Sequence, residues 1–341
     1  MDEWKKTILS TNCKIRNVAK NLSDTAMQIC FIKNLNNEFI GTITDGDIRR
    51  GLLKGLKLSD NIKKIINRNS KFVNAKCTKF KANQIMKNLV VRHLPIIENK
   101  KIIGIHSLKP NFASTKLIKK TFIIMAGGKG LRLKPFTNKI PKPMIKINSK
   151  PMMEHIIIKA KNEGFHNFVI VVHHLKNKIK RYFKDGKNLG VKISYIEEKT
   201  PLGTAGGLGL LNNKITDNFI LSNADVISDI KFKDLIDFHI INSSSASVAV
   251  KVIDNKENYG LVKIKGVKVV GFDEKPLTKK FINCGVYVFS KKCLKEIKKN
   301  QKIDMISFLK TLKRKNNKIV AFPIYENWHD LGLKKNIKKF I

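Results

Sequence analysis

Apolar residues recur along the last two thirds of the chain as short, nearly continuous runs separated by longer amphipathic stretches. The runs at 121–126, 167–174, 191–197 and 218–224 have the length and composition of strands. Helices are predicted between them at 151–163, where Pro151 suits a first helical position, and at 175–184, 205–212 and 231–242. Further strands are predicted near 246–252, 260–271 and 282–289. Strands interleaved with helices predict an α/β fold with a doubly wound, mostly parallel sheet and a β-rich insertion in its second half.

Residues 1–115 follow another pattern, an imperfect repeat. Residues 29–44 read strand, turn at 34–37, strand, ending Phe39-Ile40-Gly41-Thr42-Ile43-Thr44; residues 93–107 read the same way, ending Ile102-Ile103-Gly104-Ile105-His106-Ser107. Aligned on Gly41 and Gly104 the copies are 63 residues apart, and each follows an amphipathic helix, with Lys20-Asn21-Leu22 in one and Lys87-Asn88-Leu89 in the other. Two copies of one supersecondary unit pack into a small α+β domain. Residues 109–120 lose the periodicity, which places a first domain at 1–115, a linker at 116–120 and a second domain at 121–341. The first copy continues Gly41-Thr42-Ile43-Thr44-Asp45-Gly46-Asp47-Ile48-Arg49-Arg50 and resembles the ligand end of a cystathionine-beta-synthase (CBS) pair. That resemblance implies an adenine nucleotide held by Thr44 and Asp47, whereas the second copy, with Ser107 and Pro110 there, lacks the acid. A packing or dimerisation module without a ligand is the alternative. Either way, the resemblance implies a homo-oligomer.

The stretch that carries chemistry is residues 125–144, Met-Ala-Gly-Gly-Lys-Gly-Leu-Arg-Leu-Lys-Pro-Phe-Thr-Asn-Lys-Ile-Pro-Lys-Pro-Met. Gly127, Gly128 and Gly130 follow the apolar run Phe122-Ile123-Ile124. They therefore fall at the carboxyl end of a buried strand, the edge where open α/β sheets bind ligands. Glycines there admit a close backbone approach and turn successive N–H groups toward an anion. Arg132 and Lys142, with Lys129 and Lys134 nearby, add positive charge, and Arg132 has the planar fork that grips phosphate oxygens. The spacing is neither G-x-G-x-x-G nor that of a P-loop. Alone, the glycines leave open a plain turn flanked by surface lysines; Pro141-Lys142-Pro143 makes the pattern far more specific.

With that tripeptide the segment resembles the signature G-G-x-G-[TS]-R-L-x-P-[LF]-T-x-x-x-P-K-P-[ML] of the sugar-1-phosphate nucleotidyltransferases, with Leu131 where those proteins carry a small hydroxyl residue. The resemblance covers about residues 121–341. It implies a Rossmann-like fold and Mg2+-dependent transfer of a nucleoside monophosphate from a nucleoside triphosphate to a hexose-1-phosphate, releasing pyrophosphate. Both reactants are polyanions and the attacking phosphate oxygen is already ionised. Such a reaction needs charge neutralisation and in-line positioning rather than a general base.

By the same resemblance, Arg132, Lys142 and Asp225 are catalytic, and Gly127, Gly128 and Gly130 hold phosphates. Asp225, ending Asn223-Ala224-Asp225, matches a metal-binding N-x-D, with a turn or N-cap aspartate as the plainer alternative. Asp330, in Trp328-His329-Asp330-Leu331-Gly332, matches a second metal-binding carboxylate, although Leu333 replaces the usual threonine. Leu202-Gly203-Thr204-Ala205-Gly206-Gly207 resembles the loop and helix start against the base and ribose, whose N-terminus favours an anion. Glu274-Lys275-Pro276 resembles the element in which Glu meets sugar hydroxyls and Lys the sugar phosphate, and Asn283 and Gly285 match a strand beside the hexose. Tyr259-Gly260 fits less informatively. His173 and His174 end an apolar run on opposite faces, which argues against shared metal ligation and for a structural role.

A CBS-like unit ahead of this signature resembles proteins grouped with mannose-1-phosphate and glucosamine-1-phosphate guanylyltransferases, some of which serve surface-glycan or nonulosonic-acid synthesis. GTP is therefore the implied nucleotide. A thymidylyl- or uridylyltransferase, and a catalytically inactive nucleotide-sensing protein, are the alternatives.

Net charge of +42 first suggests nucleic acid, but its distribution points elsewhere. Residues 1–120 carry 25 basic and 8 acidic side chains, and residues 121–341 carry 43 and 18, so no tail or block concentrates the excess. Only 8 of the 68 basic residues are arginine, the residue that dominates base readout. No specific nucleic-acid partner is expected. No run approaches the roughly 20 apolar residues of a membrane span, and the N-terminus lacks a signal-peptide core, so a cytoplasmic protein without a membrane partner is expected. Five scattered cysteines without C-x-x-C spacing are expected to stay reduced.

Overall fold

The computed structural model describes residues 3–25, 27–89, 91–108, 118–211, 215–332 and 334–337. The chain divides into two compact units, residues 1–112 and 113–341. Residues 116 and 117 of the expected linker, together with Pro110 and Leu333, lie outside the described residues.

The first unit contains the helix–hairpin pattern twice. A helix at Ile15–Thr25 precedes the antiparallel strands Ile29–Lys33 and Phe39–Thr44, and a helix at Lys79–Asn88 precedes His93–Glu98 and Lys101–Ser107. The hairpins meet where Phe39 N donates to Lys100 O at 2.7 Å. The first also pairs in parallel with a short strand at Ile8–Ser10. Thr44 and Asp47 open the helix Asp45–Leu53 as a reciprocal capping box. The Thr44 hydroxyl donates to Asp47 Oδ2 at 2.7 Å, and the Thr44 backbone N–H donates to the same oxygen at 2.8 Å. Arg50 holds the other oxygen. Both side chains named for a nucleotide are thus engaged in ending a strand and starting a helix.

The second unit is built on one seven-stranded sheet. Its strands, in chain order, are β1 (Ile118–Ala126), β2 (Phe165–Val172), β3 (Lys192–Glu197), β4 (Phe219–Asn223), β5 (Ala246–Lys256), β6 (Leu277–Phe289) and β7 (Ile319–Ile324). The spatial order is β3-β2-β1-β4-β6-β5-β7. All neighbours are parallel except β6, which runs against both β4 and β5. The sheet is therefore mostly parallel, as the alternation predicts, with one reversed strand.

Burial on both faces explains the continuous apolar runs. Phe122, Ile124 and Ala126 of β1 enter one core with helices α1 (Met152–Asn162), α2 (Lys176–Phe183) and α3 (Phe232–Ile241). Ile123 enters the other, with Ala205, Leu208 and helix α4 (Met305–Arg314).

Several boundaries differ from the sequence reading. β1 begins at Ile118, so residues 118–120 belong to the sheet rather than to a linker. The helix expected at 205–212 is a single turn at Gly203–Gly206 followed by 3-10 turns at Gly207–Leu210, because glycine is too flexible to hold a longer helix. The strand expected at 260–271 is a hairpin, Leu261–Lys265 with Lys268–Asp273, turned at Gly266 with φ of 62°. β2 stops at Val172, leaving His173 and His174 beyond it. Among the described residues no helix is long and apolar enough to cross a membrane, and all five cysteines are free thiols.

Candidate active site

The order 3-2-1-4 places a topological switch between β1 and β4, the place where an open α/β sheet leaves a crevice. A cavity of about 560 Å³ lies there, lined by the ends of both strands. That volume lies within the usual range for small-molecule sites. The glycine loop, Arg132, Lys142, Glu198, Gly203, Thr204, Asn223, Asp225 and Gly332 face it.

The loop's geometry follows from its glycines. Gly130 has φ of 65°, and a Cβ there would meet Thr137 Cγ2 at 2.8 Å, so only glycine fits. Thr137 fastens the loop by donating its hydroxyl to Gly130 O at 2.9 Å. Gly128 has open space around it, which leaves its backbone accessible from the cavity. Leu133, one residue after the exposed Arg132, is fully buried in a small cluster with Ile145, Ile147, Met152, Leu331 and Ile337. That cluster anchors both the segment bearing Arg132 and the segment following Asp330.

Asp225 and Asp330 are brought together by a two-stranded ribbon, Val226–Ser228 against Trp328–Asp330, in which Val226 faces Asp330. Leu331 N donates to Asp225 O at 3.0 Å and extends the pairing. Lys142 forms an ion pair with Asp225 Oδ2. A Cβ on Gly332 would lie 2.7 Å from Asp330 Oδ1, 2.8 Å from Lys142 Nζ and 3.0 Å from Asp225 Oδ2. The two carboxylates and the ammonium therefore converge on the space this glycine leaves. Among the described residues no cluster of three or more His, Cys, Asp or Glu forms a cation cage. Two carboxylates beside a glycine loop nevertheless suit a hard cation such as Mg2+, which takes one or two protein carboxylates and its remaining ligands from phosphates and water.

Other expected residues are distributed less simply. Gly203, with φ of 83°, turns the chain under the cavity, and a Cβ there would strike Ile303 O at 2.6 Å. Thr204 Oγ1 accepts from Met305 N at 2.8 Å, capping α4, although the residue still faces the cavity. Ala205 N and Gly206 N, the third and fourth in the turn Gly203–Gly206, both donate to Ile303 O, at 3.1 and 3.2 Å, and are not available to an anion. Glu274 and Lys275 lie beyond the cavity lining, 79% and 55% exposed, on the turn after the hairpin. Asn283 accepts from Gly285 N at 3.0 Å. Gly285, with φ of 72°, makes room for Asn223, whose Nδ2 would lie 2.6 Å from a Cβ there. The pair on β6 thus shapes the cavity through Asn223. His173 Nδ1 bonds the Glu198 carbonyl oxygen at 3.0 Å, a structural contact.

Sequence reading missed Glu198. It directly follows β3, is 4% exposed, and lines the cavity. Burial raises its carboxyl above the ordinary range, opposed by a hydrogen bond from the Leu202 N–H and by His173. In the sequence it is one of two adjacent glutamates, and nothing local distinguishes it from Glu197, which pairs with Lys176 and Lys180 on the surface.

The fold and the cavity together describe a nucleotide-handling α/β enzyme, and comparison with known proteins agrees. Residues 121–340 match the nucleotidyl transferase family model, and the chain belongs to that family. It is similar to the mannose-1-phosphate guanylyltransferase catalytic subunit beta of Danio rerio, 31% identical over 223 residues, 63% of this chain and 61% of that protein. It is also similar to the bifunctional protein GlmU of Methanococcus maripaludis, 35% identical over 220 residues, 62% and 51% of the two chains. A UTP–glucose-1-phosphate uridylyltransferase of Synechocystis is 32% identical over 202 residues, 54% and 52% of the two chains. The chain spans about three fifths of the length of the guanylyltransferases it matches. HddC from Yersinia pseudotuberculosis shares the fold with a TM-score of 0.53 at 24% identity, over 65% of this chain and 97% of that one.

Proposed function

We propose that the second unit transfers a nucleoside monophosphate from a nucleoside triphosphate, with GTP as the lead candidate, to a hexose-1-phosphate such as mannose-1-phosphate or glucosamine-1-phosphate. The products are a nucleoside-diphosphate sugar and pyrophosphate. The observation that carries this reading is the single cavity at the switch point, onto which the glycine loop, Arg132, Lys142 and Asp225 face while Asp330 converges with the last two beside Gly332. The loop amides and Arg132 would take the triphosphate, Lys142 the charge that develops as pyrophosphate leaves, and Asp225 with Asp330 a Mg2+ ion. Such an ion supplies electrostatic stabilisation of the transferring phosphoryl group. The sugar phosphate attacks the α-phosphorus with an oxygen that is already an anion, so no proton acceptor is required. The guanylyltransferase relatives at about 30% identity favour GTP and mannose-1-phosphate; the uridylyltransferase and GlmU keep UTP and glucosamine-1-phosphate in the test. Pyrophosphate release, measured for the four common nucleoside triphosphates against a panel of hexose-1-phosphates with Mg2+, decides the reading. No release from any pair refutes it.

The doubled helix–hairpin of the first unit supports a CBS-type pair and a regulatory or dimerising role for it. Calorimetry with AMP, ATP and GTP on an Asp225→Asn background tests for a site there; no heat beyond that of the cavity removes it.

A further inference from the structure

The hairpin Leu261–Lys265 with Lys268–Asp273 forms a sheet of its own, and residues 261–270 and Phe272 are all exposed. Strand residues alternate between faces, and residues paired across a ladder share one. Val262 pairs with Phe272 and Ile264 with Val269, which puts these four on one face. The register shifts between Lys263 and Ile264, a bulge that leaves Val270 as the extra residue beside them. Lys263 pairs with Gly271, Lys265 with Lys268 and Leu261 with Asp273 on the other face. An ion pair of 2.8 Å between Lys263 and Asp273 crosses that second face. One side of the hairpin is thus charged and the other apolar, with Val262, Ile264, Val269, Val270 and Phe272 50–76% exposed.

A two-stranded hairpin with both faces in water is marginal by itself, and covering its apolar side stabilises it. The size and the charge of this side indicate by what. Its apolar side chains expose on the order of 600 Å², the upper end for a patch on a monomer. Val267 at the turn, 99% exposed, adds to it. Two such faces in contact remove on the order of 1,200 Å² from water, the lower bound for a stable interface between two proteins. A face without charge is complementary to itself, as a two-fold contact requires. Lys263, Lys265 and Lys268 belong to the opposite face, so two copies of a chain of net charge +42 can meet here without bringing these cations together. The same arrangement disfavours an anionic lipid surface, which draws lysines to the side that carries the apolar groups.

We propose that this face is an interface between two copies of the chain, in which Val262, Ile264, Val269 and Phe272 of one hairpin pack on the same residues of the other across a two-fold axis.

Sedimentation velocity of the full chain between about 1 and 100 µM tests this, since a contact of this size belongs to a micromolar dimer. Raising salt from about 0.1 to about 0.5 M should tighten the dimer severalfold, because screening removes the repulsion between the two net charges while the apolar contact is kept. Ile264→Ser with Phe272→Ser takes apolar groups off both sides of the contact and should weaken it at least about a hundredfold. Both positions are exposed, so the melting temperature of the dilute protein should stay within about 2 °C of the wild type. A wild-type chain that remains a monomer at about 100 µM overturns the proposal. So does association that the double variant leaves unchanged, which would lie on another surface of the chain. If the double variant does not fold, hydrogen exchange of the wild-type protein decides: slower exchange across residues 261–273 in the associated protein than in the dilute one supports the interface, and equal exchange overturns it. A wild-type monomer that floats with phosphatidylserine vesicles overturns it in favour of a lipid surface.

Discussion

The ion pair between Lys142 and Asp225 lets the proposed metal site be tested without turnover. Both side chains are mostly buried, 14% and 16% exposed, and the ammonium holds an oxygen that a divalent cation would need. Two unit charges about 4 Å apart interact by about 4 kcal/mol at an effective dielectric of about 20, before desolvation. Desolvation of both groups returns much of that, leaving about 1–2 kcal/mol as the net hold of Lys142 on Asp225. A cation entering the site must overcome this hold, so Lys142→Met should tighten Mn2+ binding about tenfold in the absence of nucleotide. The same substitution leaves Asp225 and Asp330 converging without a counter-charge. In EDTA it should lower the melting temperature by about 2–8 °C, at roughly 2–4 °C per kcal/mol for a unit of this size. Saturating Mn2+ should restore the loss by binding the folded state alone. Calorimetry with Mn2+ and melting curves in EDTA and in Mn2+ measure both effects. If Lys142→Met binds Mn2+ no more tightly than the wild-type protein, and melts alike with and without it, the two carboxylates are not a cation site.

Four other outcomes are expected. Asp225→Asn should reduce Mg2+-dependent pyrophosphate release by about a thousandfold or more while the circular dichroism spectrum is unchanged; a near-normal rate removes Asp225 from the chemistry. Gly332→Ala places a methyl group within 3.0 Å of three charged side-chain ends, all of which can retreat, so kcat should fall while the fold survives. A displacement of a few tenths of an ångström predicts about a tenfold to hundredfold loss with a melting temperature within about 2 °C, and an equally active variant contradicts the convergence at this position. His239 is buried among Ser244, Ser247 and Ser290, and burial, helped by Lys120, lowers its pKa from 6.5 to about 4. Its neutral form is thus favoured by folding; the stability it contributes is present above pH 6.5, is lost as pH falls toward 4, and amounts to about 3 kcal/mol. His239→Gln should flatten melting temperature against pH over that window, and an unchanged slope excludes His239 as its source. Thr44→Ala removes the cap of Asp45–Leu53 and should cost about 1 kcal/mol in denaturant titrations of the full chain, whether or not nucleotide is present.

The parts legible in the sequence were those in which local pattern and global fold agree. Phe122, Ile123 and Ile124 read as a buried strand because neighbouring residues enter different cores on opposite faces of the sheet. The loop after them was legible because glycine at position 130 is demanded by its backbone angle. Less legible were elements whose form depends on distant partners. The stretch at 205–212 has helical spacing, but Ile303 O takes its first amides and its glycines stop it after one turn. Thr44 and Asp47 match a ligand motif and also serve as a helix cap, and the sequence offers no means of separating the two. Glu198 was invisible because its meaning comes from glycines at 127 and 207 and from burial, none of which a pair of adjacent glutamates reveals.

The convergence of Asp225 and Asp330 shows why the last residues of the unit belong to the site rather than merely closing the fold. β4 alone delivers Asp225 to the edge of the sheet, next to the glycine loop, because β4 and β1 are parallel neighbours. Its neighbour β6 runs the opposite way and does not bring its carboxyl end to this edge. The ribbon Val226–Ser228 with Trp328–Asp330 supplies a second carboxylate by pairing the residue after Asp225 with Asp330 itself. Trp328 Nε1 donates to Cys284 O at 3.0 Å, fastening that ribbon to β6, and Leu331 buries in the cluster that holds Leu133 beside Arg132. The segment bearing Asp330 and the segment bearing Arg132 therefore share one small apolar foundation, so that their spacing is set by packing rather than by the attraction between their charges.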